Sequence, residues 1–266
     1  MTKRQEAAVE TAAEKPKKRI GFVDEVRGFA ILCMVVYHTW FDLATLFHVE
    51  LPFLFTPQMN FVRDLFAGLF IFISGSACRL SRSNLKRGFI CLCGGLILTA
   101  VTYFFMPEEK ILFGILHFLG LSMILFALLQ KLIDKIKFPI IGILIFGLLF
   151  VLTCNIKEGV LSLGNLFSVD LPDFLYQTDI LFPLGFHSET FFSSDYFPLI
   201  PWFFIFLTGS YFGVLLVKHR LPKFFYKDHI RFLSFIGRHT FIIYLLHQPV
   251  VYGVLYLIFH FVLGQG

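Results

Sequence analysis

Three ionisable residues in one apolar stretch, VDEVRGFAILCMVVYHTWFD at residues 23–42, have types and spacing that could do chemistry. Arg27 and His38 are eleven residues apart, so at ~100° per residue they return to nearly the same face of a helix, about 16 Å apart along its axis. Asp42, four residues beyond His38, continues that face. Because polar groups buried in hydrocarbon are costly and usually mark a site, this stripe predicts an enzyme or a transporter.

His38 is the predicted centre of the chemistry. An imidazole titrates near neutral pH, so it can take a proton from an attacking hydroxyl or amine, or carry an acyl group itself. We expect Asp42, one turn further along, to orient His38 in the way that the third member of a catalytic triad does. The alternative is an interhelical hydrogen bond without chemistry.

Arg27 must have a different role, because ~16 Å is far beyond the ~3 Å of a hydrogen bond to His38. Three roles stay open for its guanidinium. It can pair with Asp24 one turn away, extend to lipid headgroups, or bind an anionic ligand.

The composition indicates an integral membrane protein. The chain is 57% hydrophobic and only 15% charged, whereas soluble domains are roughly 45–50% apolar and about 25% charged. Apolar stretches of this length suit helices that cross about 30 Å of hydrocarbon. We therefore predict an all-α, polytopic helical bundle with about seven transmembrane helices, at residues 27–47, 61–78, 88–105, 111–130, 138–154, 197–217 and 240–262.

The distribution of Lys and Arg predicts the orientation of the bundle. Residues 1–19 hold six Lys or Arg and three Glu, which is typical of a disordered cytoplasmic tail rather than a cleaved signal. The tail and the connections on the same side of the predicted bundle hold 18 Lys or Arg in total, whereas the connections on the opposite side hold two. Positive charge favours the cytoplasm, so the N-terminus is predicted inside, the C-terminus outside, and residues 20–266 form the membrane domain.

Two further histidines lie in predicted spans. Counted from the outer surface, His38 is about 13 Å deep and His117 about 9 Å deep, so they are expected to share one level. His117 either lines the site or packs between helices. His247 is about 10 Å from the inner face, which assigns it to a different layer. Since it precedes Pro249, a structural role in a kinked helix is the favoured interpretation.

Four residues near the ends of the spans are weaker candidates. Asp195 precedes the sixth span, where a carboxylate caps a helix N-terminus; binding of an acceptor substrate is the second interpretation. Tyr196 fits an aromatic belt, with acceptor binding again the alternative. Arg79 and Arg82 are candidates to hold phosphates of a soluble cofactor, although topology alone also explains basic residues there.

The five cysteines lie in or beside apolar segments, and their number is odd. A disulfide framework is therefore not expected. Cys91 and Cys93 would point to diverging faces of a helix, so we expect no metal site.

Several motifs resemble known transmembrane acyltransferases. The first span, with Val23-Asp24, Arg27-Gly28, Met34 and His38, resembles their opening helix. Four further segments are similar to a bacterial set, the DUF1624 group, related to the catalytic domain of heparan-α-glucosaminide N-acetyltransferase. They are FIFISG at 70–75, ILHFLG at 115–120, DYFPLIPWF at 195–203 and GRHTFIIYLLHQPV at 237–250. The Arg-x10-His spacing alone also resembles the separate acyltransferase-3 family of O-acyltransferases.

The resemblance implies transfer of an acetyl or other acyl group from cytoplasmic acyl-CoA to an acceptor at the opposite face. The acceptor would be a hydroxyl or amine of a glycan or lipid, with Arg27 near the CoA phosphates and His38 at the transfer site. In the lysosomal relatives the catalytic histidine follows the first helix, in the outer loop. That difference makes His48 a rival base.

The expected partners are the lipid bilayer, acyl-CoA and the acceptor, in a bacterial inner membrane. We expect no nucleic-acid partner and no metal or haem cofactor, and a homodimer is left open. The main alternative function is a transporter with an intramembrane His/Asp relay. A haem held by His38 and His117 is a further alternative that a Soret band would reveal.

Overall fold

Eight α-helices make up most of residues 20–262, the part of the chain that this computed structural model describes. They are α1 (Gly21–Thr45), α2 (Pro57–Cys78), α3 (Asn84–Phe105), α4 (Ile115–Ile133), α5 (Pro139–Thr153), α6 (Leu199–Val217), α7 (Arg231–Arg238) and α8 (Thr240–Leu257). A π-helical turn, Ile258–Val262, follows α8. The predicted all-α fold is confirmed, whereas the predicted tail at 1–19 lies outside the described residues.

Seven helical segments are long and apolar enough to cross a membrane, and they coincide with the seven predicted spans. The first helix begins at Gly21, six residues before the predicted start. Its early turns are apolar where they touch the bundle, since Val23 packs with Ile73, Ala77 and Leu216. This extra length matters because it moves Arg27 from the end of the helix into its second turn.

The connections between helices gather at two ends of the bundle. The basic end carries residues 79–83, 134–138 and 218–230, and Arg79 bridges the first two of these through Asp134, at 2.6 Å. The loop end carries residues 46–56, 106–114 and 154–198. There the backbone amide of Ser194 donates to the carbonyl of Lys110, at 3.1 Å. Which end faces the cytoplasm stays a prediction.

The core lies where α4 and α6 pass through the middle of the bundle. Phe118 and Phe126 of α4 and Phe206 of α6 are fully buried. The Phe126 and Phe206 rings meet edge to face, 6.2 Å apart. The other helices surround this pair and expose apolar side chains outward, as expected where lipid is the solvent.

The short helix α7 is amphipathic and was not predicted. Ser234, Ile236 and Gly237 are buried against α1. Glu25 of α1 accepts hydrogen bonds from the backbone amides of His229 and Ile230, the latter at 2.7 Å. A carboxylate at a helix N-terminus satisfies free amides and favours the helix dipole, so α1 holds the start of α7 in place.

Two β-strands, also not predicted, lie in the long connection at the loop end. β1 (Val160–Ser162) and β2 (Ser168–Asp170) pair antiparallel, with Val160 opposite Asp170. Strands of three residues leave too little alternation to detect in a sequence.

The contact between α1 and α7 depends on glycine at Gly28 and Gly237. A Cβ at Gly28 would overlap the Leu233 carbonyl oxygen, and one at Gly237 would overlap the Asp24 carbonyl oxygen. We predict that Gly237→Ala lowers the stability of the purified protein by about 2 kcal/mol or more, because backbone must move to admit the methyl group. Thermal unfolding in detergent measures this.

The control is Gly147→Ala in α5, where a Cβ meets nothing within 4 Å. That variant is expected to melt at the same temperature or slightly higher, since alanine favours a helix over glycine by up to about 1 kcal/mol. Equal melting temperatures for both variants would contradict the close approach of α1 and α7.

Candidate active site

Helices α1 and α8 meet along a row of polar side chains, which we call the α1–α8 interface. The rings of His38 and His247 lie with centroids 4.9 Å apart, and Gln248 Nε2 donates to Asp42 Oδ1 at 2.7 Å. The prediction that His247 occupies a different layer from His38 is therefore wrong. Counting residues from the end of a span assumes straight helices that start level, but α8 starts after α7 and contains Pro249.

The hydrogen bonds of His247 identify which of its ring nitrogens carries the proton. Its Nδ1 lies 2.6 Å from the carbonyl oxygen of Tyr244. Since a carbonyl only accepts, Nδ1 must be the donor, and Nε2 of the neutral ring keeps a lone pair. An imidazole held in this tautomer can take a proton at Nε2.

Asp42 does not orient His38, contrary to prediction. Within residues 20–262 the Asp42 carboxylate accepts its hydrogen bond from Gln248 and receives none from His38. The two residues do share a helical face, as predicted, but each meets its own neighbour on α8. Asp42 is 1% exposed, so its carboxyl group is held inside the protein rather than in solvent.

Three buried acceptor atoms at the α1–α8 interface lack a hydrogen-bond partner among the described residues. They are Asp42 Oδ2, His247 Nε2 and Gln248 Oε1. Leaving a buried polar group unsatisfied costs about 1–3 kcal/mol. Three acceptors without donors in one interface indicate a place where a ligand supplies O–H or N–H groups.

A second hydrogen-bonded group joins this interface to the loop end. The Tyr244 hydroxyl donates to Asp195 Oδ2 at 3.0 Å, and the backbone amide of Ile115 donates to the same oxygen at 2.9 Å. Asp195 therefore caps α4, and the prediction that it caps the sixth span is wrong. The cause is the bridge between Phe113 and Tyr196, which lays the Asp195 segment beside the start of α4.

Opposing effects act on the carboxyl group of Asp195. Burial raises the pKa of Asp195 above its ordinary value. The hydrogen bonds from Ile115 and Tyr244 and the positive charge of Arg63 oppose that rise. Asp195 is thus a structural junction whose carboxyl already has two donors.

His117 has a partner at both ring nitrogens. The Gly114 amide donates to Nδ1 at 3.2 Å, so the proton of the neutral ring is on Nε2, which lies 3.1 Å from Thr99 Oγ1. The Thr99 hydroxyl in turn donates to the Ile111 carbonyl at 2.7 Å. This arrangement supports the packing interpretation of His117, as a residue that positions the start of α4 against α3.

Arg63 and Asp64 of α2 were missed in the sequence. Arg63 Nε donates to Asp64 Oδ1 at 2.9 Å, and the charge of Arg63 reaches both His38 and Asp195. A cation in the second turn of an apolar helix was a visible signal, comparable to Arg27. Its charge acts on His38 of the imidazole pair, while its exposed side chain pairs with Asp64.

The predicted phosphate ligands at the basic end differ in their surroundings. Arg27 forms an ion pair with Asp24 at 3.3 Å, the first of its predicted roles, and donates to the Gly237 carbonyl. Arg79 pairs with Asp134 and stacks on the Phe126 ring, 4.9 Å from its centroid. Arg82 is exposed. Among these three, Arg82 is the most accessible to a soluble ligand.

The two remaining candidates lie at the loop end. His48 is exposed and lines a cavity of about 570 Å³ together with Tyr252, Tyr256 and His260. Tyr196 donates its hydroxyl to the Phe182 carbonyl at 2.6 Å, and Lys157 lies over its ring, 5.0 Å from the centroid. The hydroxyl of Tyr196 is therefore already engaged within the protein.

The described part of the chain offers no obvious metal centre. Within residues 20–262 no group of three or more His, Cys, Asp and Glu side chains is placed to hold an ion. The five cysteines are free thiols.

Comparison with known families supplies the context for this geometry. The model of the family described as heparan-alpha-glucosaminide N-acetyltransferase, catalytic, matches residues 19–249. The chain belongs to this family. The match begins just before α1 and ends at Pro249, so it includes the four side chains of the α1–α8 interface, His38, Asp42, His247 and Gln248. No curated protein and no solved structure matches the chain.

The junction at Asp195 leads to a graded prediction. Asp195→Ala is expected to lower stability by about 1–3 kcal/mol, because the Ile115 amide and the Tyr244 hydroxyl both lose their acceptor. Asp195→Asn keeps one side-chain oxygen and is expected to lose less. Thermal unfolding in detergent compares the stabilities of the two Asp195 variants. The control is Asp170→Asn, a substitution at an exposed position of β2. Equal losses for the two Asp195 variants would contradict the junction.

Proposed function

We propose that this member of a membrane acetyltransferase-type family transfers an acetyl or other acyl group from acyl-CoA to a hydroxyl or amine of a glycan or glycolipid. The donor enters at the basic end, from the cytoplasm, and the acceptor from the loop end, which faces outward. The proposal draws on the family match and the excess of Lys and Arg at the basic end. It draws most on one observation, the unpartnered Nε2 of His247 beside His38.

The imidazole pair has the properties that acyl transfer requires. His247 Nε2 takes the proton of the attacking O–H or N–H while the oxygen or nitrogen forms a bond to the acyl carbon. The carbon–sulfur bond of the thioester breaks, and the same proton is returned to the CoA thiolate. His38, 4.9 Å away between ring centroids, lies close enough to orient the reacting groups or to share that proton.

The charges at the two ends suit the two substrates. At the basic end, exposed Arg82 is the proposed contact for CoA phosphates, since Arg27 and Arg79 are each offset by a carboxylate. At the loop end, Asp64 pairs with Arg63 at 2.9 Å and offsets part of its charge. The remaining positive potential is proposed to stabilise negative charge on the thioester oxygen during attack. Asp195 and Tyr196 hold the loops around the acceptor entrance rather than binding the acceptor through their own polar atoms.

Catalysis by the imidazole pair predicts a large effect of one substitution. His247→Ala is expected to lower kcat for acyl-CoA turnover at least about 100-fold, the lower range for removal of a general base. The assay is release of free CoA by purified protein in detergent, with a sugar acceptor present. His38→Ala is also expected to lower kcat in this assay.

The matched control is His219→Asn, at an exposed position of the basic end. His219 has a φ of 52°, in the left-handed region, which asparagine tolerates well. Wild-type activity is expected there. Full activity in both His247→Ala and His38→Ala would remove the imidazole pair from catalysis, and His48→Ala would then be the next variant to assay.

The proposed orientation has its own test. A reporter that is active only in the cytoplasm, fused at the N-terminus, is expected to be active, while the same reporter at the C-terminus is expected to be silent. The physical reason is the positive charge of the basic end. The reverse pattern would put the basic end outside and the loop end in the cytoplasm, which would contradict the proposed orientation.

A further inference from the structure

The short helix α7 has two faces with different surroundings. On one face Ser234, Ile236 and Gly237 are buried against α1. On the opposite face the side chains of Phe232 and Phe235 are 65% and 60% exposed. At ~100° per residue these two rings lie about 60° apart around the helix, so they form one aromatic edge that points away from α1.

The position of α7 puts this aromatic edge beside the ends of two spanning helices. The contacts of α7 on α1 fall within about the first two turns of α1, at Asp24 and Gly28. The other end of α7 leads after one residue into α8, which begins at Thr240. Eight residues make about 12 Å of helix, which is too short to cross a bilayer. The helix therefore lies where the headgroup layer meets the hydrocarbon.

Exposed cations surround the two rings. Residues 218–239 hold six Lys or Arg and one acidic residue, Asp228. Among residues 20–262 the ion pair formed by these cations joins Arg238 to Asp24, at 3.6 Å. The other five cations, all exposed, are Lys218, Arg220, Lys223, Lys227 and Arg231. The carboxylate of Asp228 accepts a hydrogen bond from Ser234 at 3.1 Å. The net charge around α7 is therefore strongly positive.

We propose that α7 and the connection before it dock anionic phospholipids of the leaflet at the basic end. Phe232 and Phe235 enter the boundary between headgroups and acyl chains, and the cations beside them contact the lipid phosphates. Helices that combine aromatic residues with Lys and Arg bind the surface of anionic membranes in this way. We call this region the α7 surface; it consists of Lys223, Lys227, Arg231, Phe232 and Phe235.

A phospholipid suits the α7 surface better than a soluble phosphate compound does. A soluble phosphate would meet the cations but leave both phenyl rings in water, where exposed apolar area is unfavourable. An anionic phospholipid supplies negative charge for the cations and an apolar layer for the rings. The inference concerns lipid binding alone, so it does not depend on the proposed acyl transfer.

Neutralising the cations tests the electrostatic part of the proposal. Two triple variants of the full chain each lose three positive charges at the basic end. The α7 variant carries Lys223→Gln, Lys227→Gln and Arg231→Gln. The control variant changes three exposed cations between α4 and α5 or next to them, and it carries Lys131→Gln, Lys135→Gln and Lys137→Gln. The measurement is the apparent Kd for short-chain phosphatidylglycerol in detergent, obtained by native mass spectrometry.

The α7 variant is expected to bind phosphatidylglycerol at least about tenfold more weakly than the wild type, because each cation near an anionic lipid surface contributes on the order of fivefold. The control variant is expected to bind like the wild type. Equal weakening in both variants, or no weakening in the α7 variant, would overturn the proposal. Displacement of the lipid by free coenzyme A would also overturn it, because the cations would then serve a soluble ligand.

Tryptophan fluorescence tests whether the rings enter the membrane. Phe235→Trp adds one indole to the two tryptophans of the chain. In vesicles of phosphatidylcholine and phosphatidylglycerol with brominated acyl chains, the added emission is expected to be blue-shifted and quenched. The control is Leu166→Trp, at a position between β1 and β2 that is 87% exposed, and its added emission is expected to stay unquenched. Unquenched emission from Phe235→Trp would place that edge of α7 in water and overturn the proposal.

Discussion

The organisation of this protein depends on how polar groups are satisfied inside an apolar bundle. Tyr244 of α8 is the centre of that arrangement. Its hydroxyl donates to Asp195, and its carbonyl accepts from His247 Nδ1. One residue thereby holds the loop that caps α4 and also sets the tautomer of the imidazole that faces α1. Because an unpaired polar group is expensive in such surroundings, these contacts leave few alternative positions for α8.

The same requirement explains the contrast between the two ends of the bundle. At the basic end, Glu25 satisfies the start of α7, and Arg27 and Arg79 meet carboxylates. At the α1–α8 interface the acceptors Asp42, His247 and Gln248 are left for a ligand. The ion pairs at the basic end stabilise the packing of the helices, whereas the unpartnered acceptors at the α1–α8 interface mark the proposed site of acyl transfer.

Much of the architecture was readable from the sequence, because hydrocarbon imposes span length and apolar composition so strictly. All seven spans and the family were predicted, and so was the shared helical face of His38 and Asp42, of which Asp42 is buried and His38 half-buried. What failed were contacts between helices. Depth counting predicts another layer for His247, but α8 follows the short helix α7 and contains Pro249, so the residue count does not fix the level of its side chains.

Asp195 shows the same limit in a loop. Its capping role was recognised, but the helix that it caps is α4 rather than the next helix in the chain, because a backbone bridge between Phe113 and Tyr196 decides its position. The helix α7 was missed for a related reason. Its eight residues are held in place by packing against α1, where Gly28 and Gly237 allow the two backbones to approach closely.

The central claim is that the transferred acyl group meets the imidazole pair between α1 and α8. An experimental structure with a non-hydrolysable acyl-CoA analogue, in which the thioester sulfur is replaced by a methylene group, tests it directly. The account predicts the acyl carbonyl within contact distance of His38 or His247, with the nucleotide at the basic end. An acyl group bound away from both rings, or rings that face lipid, would contradict it.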